Sequence, residues 1–306
     1  MIARDQIEFY AGGSLFEYEI THEKRTFHSR FVDLIISHGA GLVKTRKDKT
    51  SGYTGDFALL CKKDHSPPRI SPSPAESRMI LGSDSHTRYG TQGSVSIGEG
   101  GPELAKAMLG KYYEIDYPGV IAVLLTGTPK PWVGPMDVAL SIIGKVFKNN
   151  FVKNKVLEFI GPGVHSLSMD FRNGIDTMTT ESACLSSVWA TDDKVKEYFE
   201  IHKRPQGFKE MVPGNAALYD GVVEVNLDTI VPMIALPFHP SNAYPLADVI
   251  AEPEKYLKMV EKEAERVFEN NKDIHLDLCS KIHDGKIKVD QAAIAGCAEG
   301  SFENIY

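Results

Sequence analysis

The sequence of 306 residues has few cysteines, no long apolar run and no concentrated stretch of basic charge. Its four cysteines, Cys61, Cys184, Cys279 and Cys297, lie far apart, and none belongs to a C-x-x-C pair. A disulfide framework is therefore not indicated, and a reducing, cytoplasmic location fits this cysteine usage best. Because no apolar run reaches about 18 residues, no segment is predicted to span a membrane.

The charge balance excludes another class of partner. The formal net charge is −7, and lysines and arginines form no basic stripe, so nucleic acid is not an expected partner. Hydrophobic residues at 42% and charged residues at 25% are ordinary for a globular protein. The length suffices for two ordinary domains or for one large α/β domain with lobes.

The most informative stretch runs from Leu81 to Gly101. A short apolar segment ending at Leu81 predicts a buried strand, and a loop of small and polar residues follows it. Pro102 and Glu103 suit the first turn of a helix that continues to Leu109. The predicted order is strand, polar loop and helix, which is where ligands bind in open α/β sheets.

Two titratable residues lie in this loop. Asp84 and His86 are two positions apart, and Ser85 and Thr87 supply hydroxyl groups. A histidine can move protons near neutral pH, and a carboxylate can fix its tautomer. The alternative is a turn whose side chains only satisfy backbone groups. Five glycines (90, 93, 98, 100 and 101) permit left-handed backbone angles and close approach to a ligand. They do not form a dinucleotide-binding fingerprint.

Beyond this loop the pattern favours an α/β fold. Residues 120–125 and 155–160 read as strands, and residues 136–146 read as a helix. Residues 171–189 read as one or two helices, and residues 222–230 alternate as a strand does. Residues 237–245 read as a proline-punctuated linker, and residues 253–270 form the clearest amphipathic helix.

The motif Gly82-Ser83-Asp84-Ser85-His86-Thr87, with the glycine-rich run after it, resembles the signature of the aconitase family. That family contains hydro-lyases, which move water across a carbon–carbon double bond in carboxylic acids. Other segments resemble family motifs in the same order: residues 125–127 with 134–140, 158–164, 178–181, 232–245 and 295–304. Variant spellings around Arg88 and Cys297 indicate a divergent hydratase branch.

The resemblance implies an α/β fold of the three-layer α/β/α aconitase-like iron–sulfur type, with parallel-sheet lobes and with parts missing. We expect a poorly matched segment at residues 1–79, aconitase-like lobes at residues 80–245, and the start of a third lobe at residues 246–306. The swivel domain of the family, with its catalytic serine and substrate-binding arginines, has no match. A second chain carrying those parts is one expectation.

The resemblance also implies roles for particular residues. His86 and Glu181 match a pair that handles protons at the leaving hydroxyl, and Asp84 matches a second acid of that cleft. Ser85 matches a substrate-binding hydroxyl. Thr177 stands where many relatives carry a substrate-contacting asparagine, so a citrate-like substrate is in doubt. Separately, Arg88 and Arg172 could bind carboxylates, although exposure on the surface is the commoner outcome for arginine.

A [4Fe-4S] cluster is implied as cofactor, held in the family by three cysteines. Cys297 matches the first of them, and the downstream C-x-x-C with the other two has no counterpart. Because thiolates are the usual ligands of such clusters, we expect the cluster to be absent from this chain alone.

The leading expectation is therefore a hydro-lyase acting on a small hydroxy carboxylic acid. The alternative is a non-catalytic fragment, or a subunit that needs a second chain. An RNA-binding relative is disfavoured by the acidic balance. An exposed apolar face is expected where the missing lobe would pack, and it would favour self-association.

Overall fold

A computed structural model describes residues 7–10, 40–42, 59–61, 79–82, 84–99, 101–109, 113–214, 216–271 and 273–305, the first three ranges by their backbone alone. The strands are β1 (Ile7–Tyr10), β2 (Ala40–Leu42), β3 (Leu59–Cys61), β4 (Met79–Gly82), β5 (Val95–Gly98), β6 (Val120–Thr126), β7 (Val156–Ile160), β8 (Ser186–Trp189), β9 (Gly221–Asn226), β10 (Met233–Ala235), β11 (Ala243–Pro245), β12 (Ile282–His283) and β13 (Lys286–Ile287). The α-helices are α1 (Gly101–Met108), α2 (Pro135–Val146), α3 (Met169–Met178), α4 (Asp193–Ile201), α5 (Leu246–Ala251), α6 (Pro253–Val267) and α7 (Phe302–Ile305).

A four-stranded parallel sheet forms the centre of the fold, in the order β8-β7-β6-β9. Its central strand, β6, has the sequence VIAVLLT, a nearly continuous apolar run of the kind that parallel sheets bury. Helices α2 and α3 follow β6 and β7 and contact each other. The expected α/β class is confirmed.

The main core lies on one face of this sheet. Phe159 of β7 and Trp189 of β8 are opposite each other in the parallel register, and their rings stack 4.1 Å apart between centroids. Apolar residues of α2 complete the same cluster at helical spacing, namely Val138, Ile142 and Val146. Area removed from water at these positions is the main stabilising term of the fold, at roughly 25 cal/mol per Å².

A smaller parallel sheet carries the motif loop, in the order β1-β4-β5. Strand β1 pairs with β4 in parallel, so part of the poorly matched N-terminal segment lies beside the strand that leads into the motif. Ser96 of β5 joins this sheet to the central one, because its backbone N–H donates to Ser186 Oγ at 3.1 Å and its carbonyl accepts from the same hydroxyl at 2.7 Å.

Two local predictions differ from the structure. Residues 171–189 contain the end of α3, a 3-10 turn and then strand β8, so the prediction of helix throughout was wrong. Ser186 and Ser187 are fully buried because Ser96 and Asp176 satisfy their hydroxyls, and local propensity cannot show such distant partners. The linker at residues 237–245 ends in β11, which forms an antiparallel hairpin with β10.

The remaining described elements surround these sheets. Helix α6 packs Tyr256 and Val260 against the β10–β11 hairpin and α5. Within the described ranges, no helix is both long and apolar enough to cross a membrane. The proposed division at residues 79 and 245 stays a prediction.

Candidate active site

The motif loop is organised by hydrogen bonds to Asp84. The Asp84 carbonyl accepts the backbone N–H of Thr87 at 3.0 Å and its hydroxyl at 2.7 Å. The Asp84 carboxylate accepts the backbone N–H of His86 at 2.7 Å through Oδ1. Such side-chain-to-backbone bonds two residues apart define an Asx turn. The turn interpretation therefore describes the local contacts of Asp84, and its catalytic role stays a prediction.

The glycines of this stretch serve mainly close packing of backbone. A Cβ on Gly98 would lie 2.3 Å from the carbonyl oxygen of Asp84, and one on Gly90 would lie 2.2 Å from that of Ser187. Gly93 has a left-handed φ of 81°. Gly98 thus lets the motif loop lie close to β5, and Gly90 lets it lie close to β8.

His86 contacts two residues that are distant in sequence. Its Nε2 lies 3.2 Å from Glu181 Oε1, across 95 positions, and its Nδ1 lies 3.0 Å from Cys297 Sγ, across 211 positions. The side chains of His86 and Glu181 are 28% and 30% exposed, and Cys297 is exposed. Three residues predicted for the site from separate motifs therefore meet at one partly open position.

The surroundings of His86 favour its charged form. The hydrogen bond with Cys297 raises the pKa of His86 to about 9; partial burial opposes the shift, and the contact with Glu181 adds to it. In this arrangement the imidazolium is the main form at neutral pH, since the ordinary pKa is 6.5. The site can therefore hold a proton at an imidazole nitrogen and stabilise the resulting charge.

Glu181 reaches His86 because the chain turns sharply after α3. The 3-10 turn Thr179–Ser182 follows the helix, and Ala183 ends it in a left-handed conformation, with φ of 63°. The turn is fixed by its own hydroxyls: Thr179 Oγ1 donates to the Asp176 carbonyl, and Ser182 Oγ donates to the Thr179 carbonyl, both at 2.6 Å. A motif match identified Glu181, but only this turn directs it to the loop.

Cys297 is held by a loop that packs on α2 and α3. Ala298 belongs to a cluster with Ala139 of α2 and Met178 of α3. Glu299 Oε1 accepts the backbone N–H of Met136 at 2.8 Å, in the first turn of α2, where a carboxylate also suits the helix dipole. No role was predicted for Glu299 from the sequence. Its position two residues after Cys297, inside a matched motif, was the signal that could have identified it.

The two arginines occupy the interior, so the expectation of surface exposure was wrong for both. Arg172 is fully buried and forms a bidentate pair with Asp192, at 2.9 and 2.6 Å. Arg88 is 6% exposed and donates to backbone and hydroxyl groups. A buried arginine with its donors paired inside the protein is not presented to a substrate.

The predicted substrate contacts lie in different environments. Ser85 is exposed, and its carbonyl accepts a hydrogen bond from Thr180 Oγ1 at 2.8 Å. Thr177 is buried, and its hydroxyl donates to the Gly174 carbonyl at 3.1 Å. Ser85 therefore faces the open side of the loop, whereas Thr177 uses its hydroxyl hydrogen within α3. Their assignment to substrate stays a prediction.

Asp176 links the motif loop to the central sheet, and no role was predicted for it from the sequence. This carboxylate is buried and accepts three hydrogen bonds, from Gly90 N, Ser187 Oγ and Trp189 Nε1, at 2.6 to 2.9 Å. Burial raises the pKa of Asp176, and the hydrogen bonds and the charge of Arg88 oppose that rise. Asp176 thereby ties the motif loop to β8. No local pattern distinguishes it from an exposed helical aspartate.

The described thiols do not fit a [4Fe-4S] cluster. Cys184 is buried and its Sγ lies 3.3 Å from the Thr179 carbonyl, whereas Cys279 contacts Glu261. Cys61 lies in β3, where side chains are not described. Across the described part of the chain, no three His, Cys, Asp or Glu side chains converge in a way that could hold a metal ion. One exposed cysteine, Cys297, does not replace three cluster ligands, and no chemical step is assigned to a cluster.

Comparison with known proteins agrees with the family resemblance of the sequence motifs. Residues 74–306 match the model of the Aconitase family (aconitate hydratase). A 3-isopropylmalate dehydratase large subunit of Halothermothrix orenii is 28% identical over 228 residues, covering 74% of this chain and 46% of the relative.

Proteins of the same name from Clostridium botulinum (strain Alaska E43 / Type E3) and Desulfovibrio desulfuricans are 33% and 32% identical. Those matches cover 54% and 56% of this chain, and 39% and 41% of the relatives. The chain thus spans about half the length of the curated relatives it matches, or less.

Proposed function

This chain belongs to the aconitase family, and on that premise we propose that it contributes the proton-handling part of a hydro-lyase active site. The substrate class is a small hydroxy carboxylic acid. The observation that carries the proposal is the contact of His86 with Glu181 on one ring nitrogen and with Cys297 on the other.

We assign different tasks to the two nitrogens of His86. Nε2 faces Glu181, whose carboxylate stabilises the imidazolium and fixes the orientation of the ring. Nδ1 contacts the exposed Cys297, so a substrate hydroxyl would reach this nitrogen by displacing the thiol from it. On dehydration, His86 would give its proton to the departing hydroxyl, and water would leave. On hydration, the neutral imidazole would take a proton back.

Asp84 and Ser85 complete the proposed loop surface. The Asp84 carboxylate accepts the backbone N–H of His86 and so positions this residue. We propose this positioning role in addition to a role of Asp84 as an acid of the cleft. Ser85 follows the same turn and is exposed, so its hydroxyl could bind a substrate oxygen. Thr177 would shape the wall of the cleft as a buried side chain.

We further propose that a second chain completes the site. The family resemblance places two cluster cysteines and the base that removes the carbon-bound proton in parts unmatched here. The relatives named above are called large subunits, which agrees with assembly from more than one chain. The alternative is that this chain is a non-catalytic fragment or subunit. This alternative is supported by the described residues beside His86, which include only one cysteine, Cys297, where a cluster needs three.

Anaerobic iron–sulfur reconstitution tests the cluster part of this proposal. We expect the chain alone to retain less than one four-iron cluster, measured as iron per chain and by visible absorbance. A Cys297→Ala variant should lose what iron the wild type retains, and Cys279→Ala, which removes a thiol bound at Glu261, should not. A stoichiometric cluster unaffected by Cys297→Ala would contradict the proposal.

The proton-handling role is tested by substitution of His86. The chain is combined with a second chain that carries the C-x-x-C and swivel parts, the pair is reconstituted with iron and sulfide, and it is incubated with 3-isopropylmalate and with other hydroxy acids. Formation of the unsaturated acid is followed by ultraviolet absorbance. His86→Gln and Glu181→Gln should each lower kcat by about 100-fold or more, as expected when a general acid or its partner is lost.

His165→Gln is the matched control, because His165 also pairs with a carboxylate, that of Asp192 at 2.9 Å, but lies in another loop. Its activity should equal that of the wild type. Wild-type activity in His86→Gln would contradict the proposed role of His86 in proton transfer. Absence of activity from every sample would favour the non-catalytic alternative.

A further inference from the structure

The contact between His86 and Glu181 needs support from elsewhere in the protein. Both side chains are nearly one-third exposed, and ion pairs in such positions contribute about 0–1 kcal/mol. That is too little to hold a turn and a loop from different parts of the chain in one geometry. The structure shows a second, more buried connection between the same two segments.

Arg88 forms the buried part of this connection. On the loop side its Nη1 donates to the carbonyls of Thr87 and Ser96, at 3.1 and 3.3 Å. On the side of the 3-10 turn its Nε donates to Thr179 Oγ1 at 3.3 Å and its Nη2 to Thr180 Oγ1 at 3.1 Å. The planar guanidinium is rigid, so these bonds fix the separation of the two segments.

Thr180 forms the second part. Its hydroxyl accepts the hydrogen bond from Arg88 and donates its own hydrogen to the Ser85 carbonyl at 2.8 Å. Thr180 immediately precedes Glu181, and Ser85 immediately precedes His86. One hydrogen bond therefore joins the residues next to the two that must meet, and the hydroxyl has both its donor and its acceptor capacity in use.

We infer that Arg88 and Thr180 are positioning residues that set the distance and orientation between His86 and Glu181. The importance of these two residues for catalysis rests on the proposed function, because they act on the same site. The Arg88–Thr180 clamp, defined by these two residues and their bonds to both segments, itself stands on geometry alone. Neither residue touches substrate in this scheme; each acts through the backbone of the residue it holds.

NMR of the histidine rings tests the clamp without any turnover. Long-range proton–nitrogen spectra at one fixed pH report the hydrogen-bonded state of each imidazole nitrogen, and His86→Gln assigns the signals of His86. We expect Thr180→Val to shift or broaden both nitrogen signals of His86, because valine keeps the shape but cannot bond to Ser85. Thr180→Ser should restore the wild-type signals, since serine keeps the hydroxyl.

Thr229→Val is the matched control. Thr229 Oγ1 donates to the Asn226 carbonyl at 2.7 Å, in a turn after β9, so this variant also loses a threonine hydroxyl bond. It should leave the signals of His86 unchanged. Arg88→Lys keeps the charge but cannot bond both segments at once, and it should shift the signals as Thr180→Val does if the variant folds.

The inference is overturned if Thr180→Val leaves the His86 signals where Thr229→Val leaves them, or if Thr180→Ser shifts them equally. A folded Arg88→Lys with wild-type signals would remove Arg88 from the clamp. Failure of the hydro-lyase proposal has a different signature, because then the clamp responds as expected in the spectra while His86→Gln leaves any activity unchanged.

Discussion

Two histidine–carboxylate pairs in the described residues differ in their surroundings. His86 meets Glu181 and Cys297 at a partly open position. His165 is 67% exposed and meets Asp192, a carboxylate that already holds buried Arg172 and accepts the backbone N–H groups of α4. A carboxylate with so many structural bonds is committed to stability. The same residue types therefore serve structure at Asp192 and, in the proposed function, chemistry at His86.

Asp192 gives a prediction about acid sensitivity. Burial disfavours its charged form, but hydrogen bonds and charge from Arg172 outweigh that effect, so the pKa of Asp192 lies below its ordinary value of 3.8. The folded state thus binds this proton more weakly than the unfolded chain. The resulting stability is fully present above about pH 4 and is lost as pH falls through the lowered pKa.

Asp192→Asn should therefore reduce the free energy of unfolding by about 3 kcal/mol at pH 6, because it leaves the guanidinium of Arg172 buried without its counter-charge. Asparagine still caps a helix, so the loss reports the charge rather than the cap. Urea unfolding at several pH values measures the difference in free energy of unfolding between the wild type and Asp192→Asn. This difference should become smaller below about pH 4. A difference that stays constant with pH would contradict the argument.

Glycines at the junction between elements show a second level of control. Loop residue Gly90 follows the motif and lies so close to β8 that a Cβ would be 2.2 Å from the Ser187 carbonyl oxygen. Gly101 begins α1 and has no atom within 4 Å of the same position. Both belong to the glycine-rich run in sequence, yet only the first is required by packing between elements.

Gly90→Ala and Gly101→Ala form a matched pair of variants. Gly90→Ala should lower the free energy of unfolding by about 1–3 kcal/mol, since backbone atoms must move to admit the methyl group. Gly101→Ala should be neutral or stabilising by up to about 1 kcal/mol, because alanine favours the helix. Chemical denaturation measures both. Equal effects from the two would show that the close approach to Ser187 does not matter.

Three exposed apolar side chains lie close together in sequence near the end of the described chain. Ile294, Phe302 and Ile305 are 75%, 79% and 58% exposed, in the segment that also carries Cys297. Exposed apolar side chains in one segment favour association with another protein surface. In the proposed function, the second chain would cover this segment.

Self-association through this segment can be measured directly. We expect sedimentation velocity to show concentration-dependent oligomers of the wild type, and Ile294→Ser with Ile305→Ser to reduce them. Leu218→Ser is the control, because Leu218 is 94% exposed but lies before β9. A wild type that stays monomeric up to high concentration would count against an exposed association surface.

The sequence by itself determined the family and several of the longest regular elements. Apolar runs and helical periodicity are local properties, so strands β6 and β7 and helices α2 and α6 were predicted nearly to their ends. Motif resemblance also singled out His86, Glu181 and Cys297, and their chemical roles stay a proposal. Their mutual contact is seen only in the tertiary structure.

Only the tertiary structure decided how these residues are held. Arg88 donates to the hydroxyls of Thr179 and Thr180, 91 and 92 positions away, and Asp176 accepts the backbone N–H of Gly90, 86 positions away. Hydroxyl and backbone groups of this kind carry no recognisable pattern in the sequence. For the same reason β8 was mistaken for helix, since its buried serines depend on distant acceptors. Sequence reports a side chain's chemistry and local propensity, whereas burial and hydrogen-bond partners are fixed by which segments the fold brings together.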